Sequence, residues 1–332
     1  MEKLKIGVIG TGHLGKLHIK MLKQIEECEL VGIFDSYHEQ LEKAASEYNV
    51  KAFDSLDDLV KSVSAVTIAA TTTAHYELAK YCLENNVHVF LEKPITALIT
   101  EAEEIVKIAK EKKLNLQVGH IERFNPAVLA VESYINNPMF IQSDRLHQFN
   151  PRGTDVAVVL DLMIHDIDII LHLVQSEVKK IDASGMPVVS DTIDIANARI
   201  EFENGAVANV TASRISQKKL RKMRLFQKDS YISLDFTSGV SEVYRLLSAD
   251  GKYDSSLISY GELGIGEKKK ILYYEQPEVK EVNALLYEIN LYVQSVINKT
   301  QPKVTGLDGL KALKVADYII NKINEAIPVI NL

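Results

Sequence analysis

Cysteine is scarce: only Cys28 and Cys82 occur in 332 residues, far apart and without CxxC spacing. That excludes a disulfide framework and a cysteine zinc site, and both residues read as buried thiols. Long apolar runs are also missing. Nothing approaches the roughly 18 uninterrupted apolar residues of a membrane span. The opening MEKLKIGVIG enters a strand-like run without a signal-peptide core, so a cytoplasmic protein is expected. Positive charge is not in excess. The formal net charge is −7, and a surface of that sign repels phosphate backbones, which excludes nucleic acid as a broad partner. Internal repeats, low-complexity tracts and flexible linkers are absent. With 46% hydrophobic and 25% charged residues the chain is globular in composition, and 332 residues suffice for about two domains.

The first 120 residues alternate β-branched runs with amphipathic ones, the pattern of βαβ units around a doubly wound parallel sheet. Strands are predicted at Lys5–Ile9, Leu30–Phe34, Ala65–Ala69, Val87–Leu91 and Leu116–Val118. Helices are predicted at His13–Ile25, His38–Glu47, Ala74–Glu84 and Thr100–Lys112. After His120 the rhythm changes. A helix over Arg123–Ile135, a strand at Phe140–Arg145 and a helix over Val159–Val174 precede several β runs. Asn204-Gly205 between alternating segments signals a two-residue hairpin. The second part therefore reads as α+β with an open, mainly antiparallel sheet, closed by helices near Lys280–Asn298 and Gly306–Asn324. The expected division is 1–120 as a nucleotide-binding domain and 121–332 as a substrate-binding and oligomerisation domain. The C-terminal helix is expected to pack back on the first of these.

Gly10-Thr11-Gly12-His13-Leu14-Gly15 directly follows a strand and opens a helix, the setting a dinucleotide fingerprint requires. Gly10 permits the tight turn, Gly12 lets backbone approach a pyrophosphate, and Gly15 lets helix and strand pack closely. Asp35 ends the second strand 20 residues after Gly15, where a carboxylate meets the ribose 2′-hydroxyl. Asp35 and Ser36, with no arginine nearby, favour NAD over NADP. His13, inside the loop, and His18, on the helix, read as structural rather than catalytic.

Val87-His-Val-Phe-Leu-Glu92-Lys93-Pro94 brings a lysine to the carboxyl end of a parallel strand, the edge where such sheets bind ligands. Pro94 restricts Lys93 to extended backbone and could accept a cis bond. In Asp161-Leu-Met-Ile-His165-Asp-Ile-Asp168, helical spacing puts Asp161 and His165 on one face. Carboxylates on so apolar a helix either face a cavity or are paired internally, and spacing alone leaves both open.

Taken in order, the GxGxxG loop, Asp35, Thr71-Thr72-Thr-Ala-His75, Glu92-Lys93-Pro94 and Asp161-xxx-His165-xx-Asp168 resemble the Gfo/Idh/MocA oxidoreductases over nearly the whole chain. The resemblance implies a Rossmann domain followed by an α/β domain with an open sheet, commonly used for homodimers or homotetramers. It also implies NAD(P)-dependent oxidation or reduction at a sugar or cyclitol carbon, with no metal. By position, Lys93, Asp161 and His165 match the family's catalytic lysine, aspartate and histidine. Thr71, Thr72, His75, Glu92 and Lys93 would line the path from adenosine to nicotinamide. Met163 departs from the glycine many members carry there. Histidine's ordinary pKa suits a general base, which favours His165 for that role, with Lys93 as an ammonium on the same oxygen and Asp161 orienting them. The reverse assignment, with Lys93 as acid/base, stays open.

Gly119-His120-Ile-Glu-Arg123-Phe-Asn125-Pro126 resembles the matching segment of the family branch that oxidises the 3-hydroxyl of UDP-linked N-acetylhexosamines. Ser213–Arg224 concentrates six cations, Arg214, Lys218, Lys219, Arg221, Lys222 and Arg224. They suit a diphosphate, or else protect a solvated strand edge. Arg152 offers another cation. The expected substrate contacts are His120, Arg123, Asn125, Arg152, His165, Arg214, Lys218 and Lys219. A free-sugar or inositol dehydrogenase is the enzymatic alternative, and a non-catalytic NAD-binding regulator the other.

Overall fold

The structure, a computed structural model, describes residues 3–150, 156–248, 258–266 and 269–326. In chain order its strands are β1 Leu4–Ile9, β2 Cys28–Phe34, β3 Ala65–Ile68, β4 His88–Glu92, β5 Leu116–Gly119, β6 Phe140–Leu146, β7 Val178–Met186, β8 Ile195–Phe202, β9 Val207–Ser213, β10 Leu220–Phe226, β11 Ser230–Asp235, β12 Val240–Ser248, β13 Ile258–Leu263 and β14 Lys270–Glu275. The helices are α1 His13–Leu22, α2 His38–Tyr48, α3 Leu56–Ser62, α4 Thr72–Glu84, α5 Ile99–Lys112, α6 Pro126–Leu129, α7 Ile164–Val174, α8 Ala284–Ile297 and α9 Gly306–Ala326. Two compact units emerge: Met1–Ile121 with Asn283–Lys314, and Glu122–Val282 with Val315–Leu332. Among the described residues no helix is long and apolar enough to cross a membrane.

The first unit is built on a parallel sheet of order β2-β1-β3-β4-β5. Helices cover both faces, which is why β3 is buried throughout. A single parallel bridge pairs Ile33 with Ala52 outside β2. Counted as a vestigial strand, it completes the Rossmann order 3-2-1-4-5-6. Ile19 and Leu22 of α1 share a core with Ile289, Tyr292 and Val293 of α8, so this late helix is part of the first unit. Helix α3 was not predicted. It is too short to show a period, although Ser55 caps it by accepting the Asp58 N–H at 3.1 Å.

The second unit holds a nine-stranded sheet of order β13-β14-β12-β11-β10-β6-β9-β8-β7, in which only β6 and β9 run parallel. Its inner face carries Ile141, Ser143 and Arg145 of β6, all buried. The helix predicted over Arg123–Ile135 is instead two 3₁₀ turns, Ile121–Phe124 and Glu132–Tyr134, around α6. Pro126 cannot continue the first turn, and Asn125 accepts the Ala127 N–H at 3.1 Å to start a new helix. The β8–β9 hairpin is wider than a two-residue turn. Gly205 alone takes positive φ, +86°, and the Phe202 N–H bonds to Ala206 O.

Candidate active site

In the first unit β1 ends at Ile9 and α1 starts at His13, so the glycine loop crosses the carboxyl edge of the sheet. Gly10 has φ +89°, and a Cβ there would meet Ala69 backbone at 2.7 Å; a Cβ on Gly15 would lie 1.9 Å from Gly10 O. The chain's own packing demands both glycines. Gly12 differs, because an added Cβ would find its nearest neighbour, Gln40 Nε2, only at 3.9 Å. A side chain there would obstruct an incoming ligand, not the protein. The first N–H groups of α1 open onto this space, supplying donors and partial positive charge for a pyrophosphate. A cavity of about 390 Å³ lies beside it, lined by Thr11, Gly12, His13, Tyr37 and Gln40 among others. Leu14 is exposed at the same turn. These features fit a bound dinucleotide.

Asp35 follows β2. Its Oδ2 accepts from the Thr11 N–H at 2.7 Å, the Thr11 hydroxyl at 3.0 Å and the Gln40 amide at 2.9 Å, and its Oδ1 from the Tyr37 N–H at 2.8 Å. Burial pushes this carboxyl up, but the four donors outweigh burial and hold it below the usual carboxylate range. Ser36 beside it is exposed.

Strand β4 delivers Glu92, Lys93 and a cis Lys93–Pro94 bond. Glu92 is buried. Its Oε1 lies 2.9 Å from His18 Nε2, and its Oε2 accepts the Lys93 N–H at 3.3 Å. Burial opposes its charge, yet His18 and Lys93 keep the carboxyl below its ordinary value. Gly119 on β5 leaves the room, since a Cβ there would sit 3.0 Å from Oε2. On α4, buried His75 places Nδ1 at 2.9 Å from Pro94 O and Nε2 at 3.2 Å from Ala70 O. Burial lowers its pKa against those bonds. A neutral ring has one N–H, and the shorter contact assigns it to Pro94. His75 thus holds the turn that carries Lys93. Exposed Thr71 precedes α4, and Thr72 is its first residue. His120, just past β5, is buried.

In the second unit the helix expected from Val159 begins as a π turn, Val159–Met163, before α7. Asp161 lies in that wider turn and His165 in α7, so their spacing is not that of a regular α-helix. Both are half-buried, and Met163 is fully buried. Asp166 and Asp168 are buried and paired. Asp166 takes Arg145 Nε and Nη2 at 2.8 and 2.9 Å, and Asp168 takes Arg123 Nε and Nη2 at 2.6 Å each. Glu122 joins Arg145 and Arg221, each at 3.3 Å. Spacing had left cavity and internal pairing open; these two acids are internally paired.

Arg123 is buried, with His172 Nδ1 also 3.3 Å from its Nη1. Asn125 caps α6. Arg214 is buried with Asp194 Oδ1 at 3.7 Å. Lys218 and Lys219 are exposed in the β9–β10 link. Arg152 lies outside the described residues. The six-cation run is not one patch. Pairing of β10 with β6 sets Arg221 opposite Arg145 on the inner face but Lys222 opposite Asp144 and Arg224 opposite Gln142 on the outer face. The pleat of a strand separates neighbours that sequence had grouped. Sequence reasoning missed Gln40 and His147. His147 lies 3.3 Å from Arg221 Nε; burial and that guanidinium lower its pKa, with Asp161 acting the other way. No motif marks either residue: His147 meets Arg221 from 74 positions away, and Gln40 reaches Asp35 through the turn between β2 and α2.

Fold and loop chemistry define a protein that binds a dinucleotide. Residues 4–120 match the oxidoreductase family NAD-binding Rossmann fold, and residues 127–232 match the GFO/IDH/MocA C-terminal domain. The chain belongs to the Gfo/Idh/MocA family. It is 37% identical over 245 residues, 74% of this chain and 78% of the relative, to the UDP-N-acetylglucosamine 3-dehydrogenase of Acidithiobacillus ferrooxidans. A solved structure of that enzyme superimposes with a TM-score of 0.87 at 31% identity, covering 98% of this chain and 99% of the other. The myo-inositol 2-dehydrogenase of Thermotoga maritima is 24% identical over 331 residues, 93% of each chain.

Proposed function

We propose that the protein oxidises the 3-hydroxyl of a UDP-N-acetylhexosamine to a ketone, with NAD as acceptor. The observation that carries this reading is the 37% identity to a UDP-N-acetylglucosamine 3-dehydrogenase, against 24% to an inositol dehydrogenase. The ionised, donor-bound Asp35 supports NAD over NADP. A bound nicotinamide would supply the hydride acceptor for the carbon bearing the hydroxyl. His165 removes the hydroxyl proton, Lys93 as an ammonium stabilises the alkoxide character of the same oxygen, and Asp161 orients the acid–base groups. Lys218 and Lys219 serve the diphosphate. Replacing both by alanine is expected to raise KM for a UDP-sugar and leave kcat near its original value.

The deciding experiment incubates the protein with NAD and UDP-N-acetylglucosamine, with and without an oxidant that regenerates NAD. The expected product is a ketosugar lighter by two hydrogens. Turnover of free inositol or glucose alone would transfer the assignment to a free-polyol dehydrogenase, and tight NAD binding without turnover of any sugar would make the chain a regulator. The reading extends to a homodimer or homotetramer built on the outer face of the large sheet. There Phe140, Phe226, Tyr231 and Tyr244 form successive ring contacts at 5.7, 4.8 and 5.4 Å, and Phe226 is 38% exposed. Light scattering that returns the mass of one chain overturns this.

A further inference from the structure

We infer that Gln40 is a positioning residue for cofactor selection, locking the Asp35 carboxylate so that the protein discriminates between a ribose 2′-hydroxyl and a 2′-phosphate before any cofactor arrives. The inference rests on the reading that Asp35 meets the ribose of NAD. A carboxylate offers about four acceptor sites. On Asp35 three donors converge on Oδ2, from Thr11 twice and from Gln40, while Oδ1 takes one, from the Tyr37 N–H. Oδ1 therefore keeps acceptor capacity for a hydroxyl. The donors come from the loop after β1, the turn after β2 and helix α2, so the group is braced from three directions.

Two of the four bonds come from backbone N–H groups that any side chains would leave in place, and the Thr11 hydroxyl accompanies one of them. Gln40 is the sole brace reaching in from a helix side chain. It is also the nearest group to the Cβ position of Gly12, at 3.9 Å, so it spans the space between the phosphate loop and the carboxylate. A braced carboxylate cannot turn aside from an approaching phosphate, and its burial-opposing donors keep it ionised. The same cavity also carries cations. Lys16 and Lys43 line it, with Glu39, and Lys16 is ion-paired to Glu47. Against lysines that would welcome a 2′-phosphate, the fixed charge of Asp35 is the opposing element, and Gln40 is what fixes it.

The test is calorimetric titration of the full chain, freed of bound nucleotide, with NAD and with NADP. Gln40→Met keeps length and removes the donor. It is expected to weaken NAD about tenfold or more, the lower end of what one bond to a charged group is worth, and to narrow the NAD-to-NADP affinity ratio. In an Asp35→Ala background the same change is expected to alter neither affinity. Gln40→Glu, which removes the amide donor and sets a like charge against Asp35, is expected to weaken NAD more than Gln40→Met and guards against one variant failing to fold. An unchanged ratio in both variants, or a Gln40 effect that survives without Asp35, overturns the inference. NAD affinity that is unaffected by Asp35→Ala overturns the reading of Asp35 beneath it.

Discussion

Asp161, Asp166 and Asp168 stand within eight residues of one another, yet they do different things. Asp166 and Asp168 are buried, where a lone carboxylate would be costly, and each is met by a two-pronged guanidinium. Asp161 and His165 stay half-buried, the exposure a group needs to reach a substrate. Sequence named this pair and Lys93 through the order of motifs, not through their geometry. On the proposed chemistry, His165→Ala and Lys93→Met are each expected to lower turnover by about 10² or more, the usual worth of a positioned acid–base group. NAD affinity should stay within a few-fold in both. Stopped-flow kinetics beside a cofactor titration checks this, and near-normal turnover in either variant sinks the assignment.

At the scale of elements, what sequence showed depends on whether the pattern was local. Strands β1 to β5 and helices α1, α2, α4 and α5 were legible because short β-branched runs alternate with longer amphipathic ones along this part of the chain. The Arg123–Ile135 segment was not, because Asn125-Pro126 breaks a pattern that otherwise reads as helix. The basic run misled for a related reason, since proximity in sequence becomes separation across a pleated sheet. Arg145 was invisible as a structural residue: it is fully buried on β6 and meets Asp166 and Glu122 from elsewhere in the chain. Arg145→Met leaves Asp166 without its counter-charge and is expected to cost about 3–5 kcal/mol. Adding Asp166→Leu should recover most of the loss, because the uncompensated charge is then gone. Guanidinium unfolding of the single and double variants measures the difference; equal stabilities would show that the pair carries no such burden.

For the whole molecule, buried titrating groups set the response to acid. Burial holds His75, His88 and His147 below the ordinary histidine value. At about pH 8 neither folded nor unfolded chain protonates them appreciably. As pH falls from there, the unfolded chain takes up protons that the folded chain refuses, so stability declines until the lowered folded values are passed. The depressed carboxyls act later. Burial would raise Asp194, but N–H groups of Val189, Val188 and Ser190 and the Ser190 hydroxyl hold it at about 2. Its contribution, with those of Asp35 and Glu92, is complete above the ordinary carboxylate range and is lost as pH drops through the folded values. Scanning calorimetry should therefore give a Tm that is level from pH 8 to 7, falls below about 6.5 and falls again below about 4; a level Tm down to pH 5 would contradict the histidine part. The sequence by itself determined the two fold classes, the glycine loop with its acid, and the family, because these depend on short-range period, backbone freedom and motif order. Only the tertiary structure decided which acids are paired, which lysines share a face and which side chain steadies Asp35, because those outcomes depend on contacts between residues that the chain brings together only when folded.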